Sequence, residues 1–184
     1  METTGPEIQL RIEGGGTLRV SLGDGTVIGI EEVPPSAALS TCSALNAVGE
    51  SFEKVENHRA AARVYEAGAR ISQVSGNRFI RAQMLNNQGL ALKRDGDLKA
   101  ALTLYESAAA LLKEPEQSVQ GEMQRTQLLA VTLLNSATLH LSQGEPEKAE
   151  QCARWGLELV EYREDEVARS VAQQCRNLLA NLGV

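Results

Sequence analysis

Apolar and polar positions follow two different periods along this chain, and the change falls near residue 35. Ile8, Leu10 and Ile12 alternate with Gln9, Arg11 and Glu13, and Leu18, Val20 and Leu22 alternate with Arg19 and Ser21. Period two marks half-buried strands. Residues 26–30 (Thr-Val-Ile-Gly-Ile) supply a third strand, and Gly14-Gly15-Gly16 and Gly23-Asp24-Gly25 supply the positive φ that tight hairpins need. Residues 1–35 therefore predict a small β-meander. So short a segment with one apolar face cannot hold itself folded, so it must dock on the rest of the chain, on a partner or on a second copy through its outer edges.

Beyond residue 35 the apolar spacing becomes three and four. Residues 1–35 contain seven of the sixteen glycines and no alanine, whereas every alanine lies in residues 36–184. Two domains are expected, a strand appendage over 1–35 and a helical body over 36–184. Caps and breakers predict helices over 36–55, 58–75, 78–94, 97–113, 117–142 and 146–162, with Ser36 capping the first, Asp97 the fourth and Pro146 in the first turn of the sixth. A seventh follows, because Val167, Ala168, Val171, Ala172, Cys175, Leu178, Leu179 and Leu182 line one helical stripe.

The body repeats. Gly49, Gly89 and Ala137 open equivalent stretches, and the same landmarks return downstream of each: Ala61, Ala101 and Ala149, then Tyr65, Tyr105 and Ala153, then Gly68, Ala108 and Gly156. Glu56-Asn57, Gly96-Asp97 and Gly144-Glu145-Pro146 break the helices between them. Each unit reads as helix, turn, helix, with small residues where two backbones approach and a knob where they leave room. The copies are 40 and 48 residues apart, measured from Gly49 to Gly89 and from Gly89 to Ala137.

This pattern resembles the tetratricopeptide repeat. The best copy is LNNQGLALKRDGDLKAALTLYESAAALLKEP, in which Gly89, Leu92, Gly96, Asp97, Ala101, Tyr105, Ala108 and Pro115 fall on or near the family's signature positions. The spacing exceeds the standard repeat of about 34 residues, which implies longer helices. The Leu85-Asn86-Asn87 opening is most similar to the repeats of kinesin light chains, a cargo-binding branch. The resemblance implies a mainly α fold: an α-solenoid of about three helix pairs with a C-terminal capping helix, preceded by the β-meander. It also implies a protein-binding scaffold or adaptor that holds a peptide or helix in a concave groove. In the family's register that groove is lined by Asn46, Ala47, Glu50 and Lys54 from the first copy. The second copy contributes Asn86, Asn87, Leu90, Lys93 and Arg94, and the third Val131, Asn135 and Thr138. A carboxamide offers both a donor and an acceptor to a ligand's main chain, so the asparagines suit binding that ignores side-chain identity. Lys93 and Arg94 are expected to select acidic or polar side chains.

A sharper family function fails on the residues. The chaperone-tail clamp holds a terminal carboxylate with basic and amide side chains at five positions, which here are Asn46, Glu50, Asn87, Val131 and Asn135. Only Asn87 fits, and Glu50 would meet the carboxylate with a like charge. The alternative to an adaptor is a structural subunit held in a larger assembly through the N-terminal strands and the C-terminal helix.

Composition narrows the remaining classes. Eighteen Lys and Arg against twenty-four Asp and Glu give a net charge of −6 without basic blocks, so nucleic acid is not an expected partner. No apolar run approaches the roughly 18 residues that span a bilayer, and residues 1–20 have no signal or transit pattern, so no membrane partner is expected and the cytosol is the expected location. Cys42, Cys152 and Cys175 are odd in number with no CxxC spacing, which predicts reduced thiols and no zinc. The glycines of residues 1–35 are not followed by Gly-Lys-Ser/Thr and open no helix, so they cradle no phosphate. His58 and His140 have no neighbouring nucleophile in a recognisable constellation, and the acidic residues Glu161, Glu164, Asp165 and Glu166 lack calcium-loop spacing. No enzyme, no cofactor and no metal site is expected.

Overall fold

A computed structural model describes the backbone of residues 9–13, 17–21, 27–30 and 35–184, and the side chains of residues 37–184. The described part is mainly helical, with seven α-helices. The glycine turns expected at 14–16 and 23–25, and the residues just before Pro35, lie outside the described residues. Strands β1 (Gln9–Glu13), β2 (Thr17–Ser21) and β3 (Val27–Ile30) pair antiparallel in the order β1-β2-β3, with Leu10 opposite Val20 and Val20 opposite Ile28.

The chain divides into two compact units, Met1–Asp97 and Leu98–Val184. In the first, α1 (Pro35–Lys54), α2 (His58–Val74) and α3 (Arg78–Asp95) pack in sequence. The first helix begins one residue before the Ser36 expected as its cap, because proline's fixed φ suits the opening position. Asn57 and Asn77 cap α2 and α3 with side-chain oxygens that accept from the Ala60 and Ile80 amides. The third helix stops at Gly96, which takes φ +94° and returns its N–H to the carbonyls of Leu92 and Lys93.

The second unit contains α4 (Leu98–Leu111), α5 (Val119–Ser142), α6 (Pro146–Val160) and α7 (Glu166–Leu182). Pro146 opens α6 as expected. The fifth helix starts later than residue 117, with Ser118 as its cap accepting from the Gly121 amide. The extra length of the third copy is thus shared between a long α5 and the connection over 112–118. That connection is tied down by Arg125, which is buried, pairs with Glu122 and donates to the Leu112 carbonyl, while Glu122 accepts the Glu116 amide at 2.9 Å. The acidic junction before α7 is also structural: Asp165 caps α7 at the Ala168 amide and pairs with Arg163, whose guanidinium donates to the Met123 carbonyl at 2.7 Å.

One register relates the two units. His58 and Pro146 open α2 and α6, Arg78 and Glu166 open α3 and α7, and Lys54 and Ser142 close α1 and α5; each pair is 88 residues apart. The small residues of this register sit where a neighbouring helix, mostly through its side chains, comes close. A Cβ on Gly49 would lie 2.4 Å from the Tyr65 ring, and one on Gly68 would lie 2.7 Å from the Met84 sulfur. Gly156 passes the Ala130 carbonyl and the Cys175 sulfur just as closely as a Cβ allows. In α7 the apolar stripe of Ala168, Val171, Ala172, Cys175, Leu178 and Leu179 is buried within its unit. Its opposite face differs from that of α3. Where α3 has the buried Ala82, Leu85 and Gly89, α7 has the exposed Ser170, Gln173 and Asn177, and Gln173 donates to Asn177 at 2.8 Å. That face is polar and exposed.

Candidate functional site

In the first unit, α1 and α3 run side by side over α2, and their facing residues step at intervals of three and four. Asn46, Glu50 and Lys54 on α1, and Asn87, Leu90 and Arg94 on α3, occupy these steps. The amides form a directed chain: Asn87 Nδ2 donates to Asn46 Oδ1 at 2.8 Å, and Asn46 Nδ2 donates to Glu50 Oε1 at 2.7 Å. Each bond fixes the orientation of the next side chain, and the chain ends on a carboxylate.

Beside this chain lies a cleft of 360 Å³ lined by Glu50, Glu53, Lys54, Asn87, Leu90 and Arg94, with Tyr65 of α2 contributing to its wall. Glu53, whose side chain is only 12% exposed, pairs through Oε2 with Arg94, and His58 Nδ1 lies 3.4 Å from the same oxygen. Its other oxygen, Oε1, is buried and accepts no hydrogen bond. An undonated buried acceptor costs about 1–3 kcal/mol, more when charged. The Tyr65 ring is held against Gly49, and burial followed by the nearby carboxylates of Glu53 and Glu50 pushes its hydroxyl up to about 12. Tyr65 is therefore a neutral wall of the cleft at ordinary pH.

Of the groove residues expected from sequence, Asn46, Glu50, Lys54, Asn87, Leu90 and Arg94 gather here. Asn86 does not face the cleft; it is buried and donates to Asn87 Oδ1 at 3.5 Å. Ala47 is exposed on α1 outside the lining. Lys93 is half-buried next to Arg94 and is not in the lining, and burial together with that neighbour's charge lowers its ammonium's pKa. Arg94 lines the cleft and pairs with Glu53, its side chain 48% exposed. In the second unit, Val131 packs against the apolar cluster of α5, α6 and α7, and Asn135 is half-buried with its carbonyl accepting from Thr138 Oγ1 at 2.8 Å.

Sequence reasoning passed over Glu53 and placed Tyr65 only as a packing knob. The signal for Glu53 was present, since it sits three residues after Glu50 on the same helical face.

Other chemistry is accounted for by structure. His140 is buried with Nδ1 2.7 Å from Glu145, at the turn between α5 and α6. Cys42 and Cys175 are buried and Cys152 half-buried, all three free thiols whose pKa burial raises, that of Cys175 to about 11. Thiols of this kind are poor nucleophiles. Among the described residues no group of three or more His, Cys, Asp or Glu side chains could hold a metal ion, and no helix is long and apolar enough to cross a membrane. No protein-family model matches the chain, and no curated protein matches it.

Proposed function

We propose that this protein is a non-catalytic binding module of tetratricopeptide-like helix pairs, an adaptor that holds an extended peptide segment of a partner protein between α1 and α3. The observation that carries this reading is the oriented chain Asn87, Asn46, Glu50 at the edge of a cleft wide enough for a side chain. A core packed for stability alone has no use for hydrogen-bonded amides facing an open cleft, whereas peptide recognition needs fixed donors and acceptors beside a hollow. The alternating helix pairs favour an α-solenoid continued by α7 as its cap, with the three strands as a small meander in front. A permanent structural subunit is the weaker reading, because the apolar stripe of α7 is already covered within its own unit.

The test compares three forms of the full chain: wild type, Asn46→Ala/Asn87→Ala, and a Gln173→Ala control on the exposed face of α7, each shown to be equally folded by circular dichroism. Partners captured from lysate are expected to be lost from the double variant and kept by the control. Capture of the same partners by all three forms would overturn the reading.

A further inference from the structure

The valley between α1 and α3 extends beyond the cleft. A second hollow of 210 Å³ lies toward the start of α1, where Leu39 and Cys42 meet Ile80 and Met84, and Asn46 stands at its border with the charged cleft. Leu39 is 60% exposed. The two hollows are centred about ten residues apart on α1, or about 15 Å of helix. An extended peptide covers that distance in about four residues.

The two hollows differ in chemistry. The 210 Å³ hollow is lined by Leu39, Cys42, Ile80 and Met84 together with the polar Ser43, Asn46 and Gln83. In the 360 Å³ cleft two carboxylates share the wall with Lys54 and Arg94, yet Glu53 Oε1 is buried without a donor, and the amide chain runs toward the Glu50 carboxylate. The neighbouring groups leave that oxygen undonated: Arg94 and, at 3.4 Å, His58 Nδ1 lie against Oε2, and Lys54 is exposed on a long flexible stem that can keep its ammonium in water. An acidic ligand side chain would meet the undonated Glu53 oxygen with a like charge. A guanidinium offers five N–H donors in a fixed fork and satisfies both carboxylates.

We propose that the valley selects an extended peptide with a basic residue, arginine above all, seated between Glu50 and Glu53, and an apolar residue about four positions away against Leu39, Ile80 and Met84. This rests on the peptide-binding reading above and adds the chemistry of the ligand. The raised Tyr65 hydroxyl agrees with it, since the same two carboxylates help to keep that group protonated.

The probes are blocked pentapeptides with leucine and arginine at opposite ends of a Ser/Ala spacer, in both orders, and their counterparts with glutamine or glutamate in place of arginine. Binding to the isotope-labelled full chain is followed by the side-chain amide resonances of Asn46 and Asn87. The arginine peptide in one order is expected to bind about tenfold more tightly than the glutamine peptide, and the glutamate peptide most weakly. Glu50→Gln, at an exposed position, should reduce that preference without disturbing the fold. Arg94→Gln should strengthen arginine-peptide binding, because it frees Glu53 from its internal partner; a merely structural Arg94 gives no such gain. Equal binding of the three peptides, or tightest binding of the glutamate peptide, overturns the selectivity while leaving a peptide groove. If no peptide moves the amide resonances, the inference and the peptide-binding reading both fall.

Discussion

Tyr65 and Ala153 stand at equivalent positions of the two units, 88 residues apart, and so do Gly49 and Ala137. In α1–α3 a glycine leaves room for a tyrosine ring; in α5–α7 two alanines meet and neither needs a gap. The difference spreads outward from there. The hydrogen-bonded pair Asn46 and Asn87 becomes Leu134 and Cys175, both buried in one apolar cluster, and Leu90 and Arg94 become Leu178 and Leu182. Glu53 becomes the exposed Leu141, and Glu50 and Lys54 become Thr138 and Ser142. Between its facing helices the scaffold thus holds mostly hydrocarbon in one unit and a polar cleft in the other. Burial fixes a scaffold, but amides and carboxylates facing a hollow cost stability unless they are used, so the place where polar groups replace leucines is where function is to be sought.

The sharpest way to break this comparison is at the Gly49 and Tyr65 pair. Tyr65→Ala removes a ring that is 3% exposed and should destabilise the protein by about 3–5 kcal/mol, as large core truncations do. Gly49→Ala forces the ring to move and should cost about 1–3 kcal/mol. The double variant reproduces the Ala137 and Ala153 arrangement, and it should be less costly than the sum of the two, since the added methyl no longer meets a ring. Urea denaturation gives all three values. Strict additivity would show that the close approach does not constrain this core.

A second contrast lies at high pH. The folded-state pKa of Tyr65 rises from 10.0 to about 12, so an unfolded chain ionises first, and the stability that the neutral hydroxyl contributes is complete below pH 10 and lost as pH rises toward 12. In the second unit Ala153 has nothing to titrate, but Cys175, raised from 9.0 to about 11, produces the same kind of loss beginning near pH 9. Tyr65→Phe should flatten the upper part of the alkaline stability profile and Cys175→Ala the lower part, each by about 2–3 kcal/mol over its window. Midpoints of urea unfolding between pH 8 and 12 provide the check. Unchanged slopes would place both groups in wetter surroundings than their burial indicates.

Much of this scaffold was legible before any coordinates. The helix starts at His58, Arg78 and Pro146 follow from breakers and caps that act locally, and Gly68 and Gly156 lie at close approaches because only small residues fit there. The mainly helical class follows from the same periodicity. What escaped was tertiary. The sequence marks Asn46 and Asn87 each as groove residues, but the bond between them joins positions 41 residues apart on two helices, and no local pattern specifies it. The sequence marks Arg94 as a selector of acidic or polar ligand side chains but does not show its pairing with Glu53, which is equally distant along the chain. The sequence pattern sets Asn86 in the groove beside Asn87, but successive helical residues point about 100° apart, and here Asn86 turns into the core.

The finest contrast is between the caps of α3 and α7, again 88 residues apart. Asn77 accepts one bond, from the Ile80 amide at 3.0 Å. Asp165 accepts the Ala168 amide at 2.9 Å, and also receives Arg163 and Gln127. Removing either cap oxygen should cost about 1 kcal/mol, the usual value of a capping side chain. Asp165→Ala should exceed Asn77→Ala by a few tenths of a kcal/mol, the worth of a partly exposed ion pair. That excess has a definite pH dependence. The Ala168 amide first, then Arg163, hold the Asp165 carboxyl below its ordinary 3.8, so its added stability is present above that value and lost as the pH falls through the lowered one. Asp165→Asn keeps an acceptor for the Ala168 amide and discards the charge, and should therefore match Asn77 in both magnitude and indifference to acid. If Asp165→Asn proves as costly as Asp165→Ala at neutral pH, the carboxylate's charge, and not its hydrogen bond to the helix, anchors the start of α7.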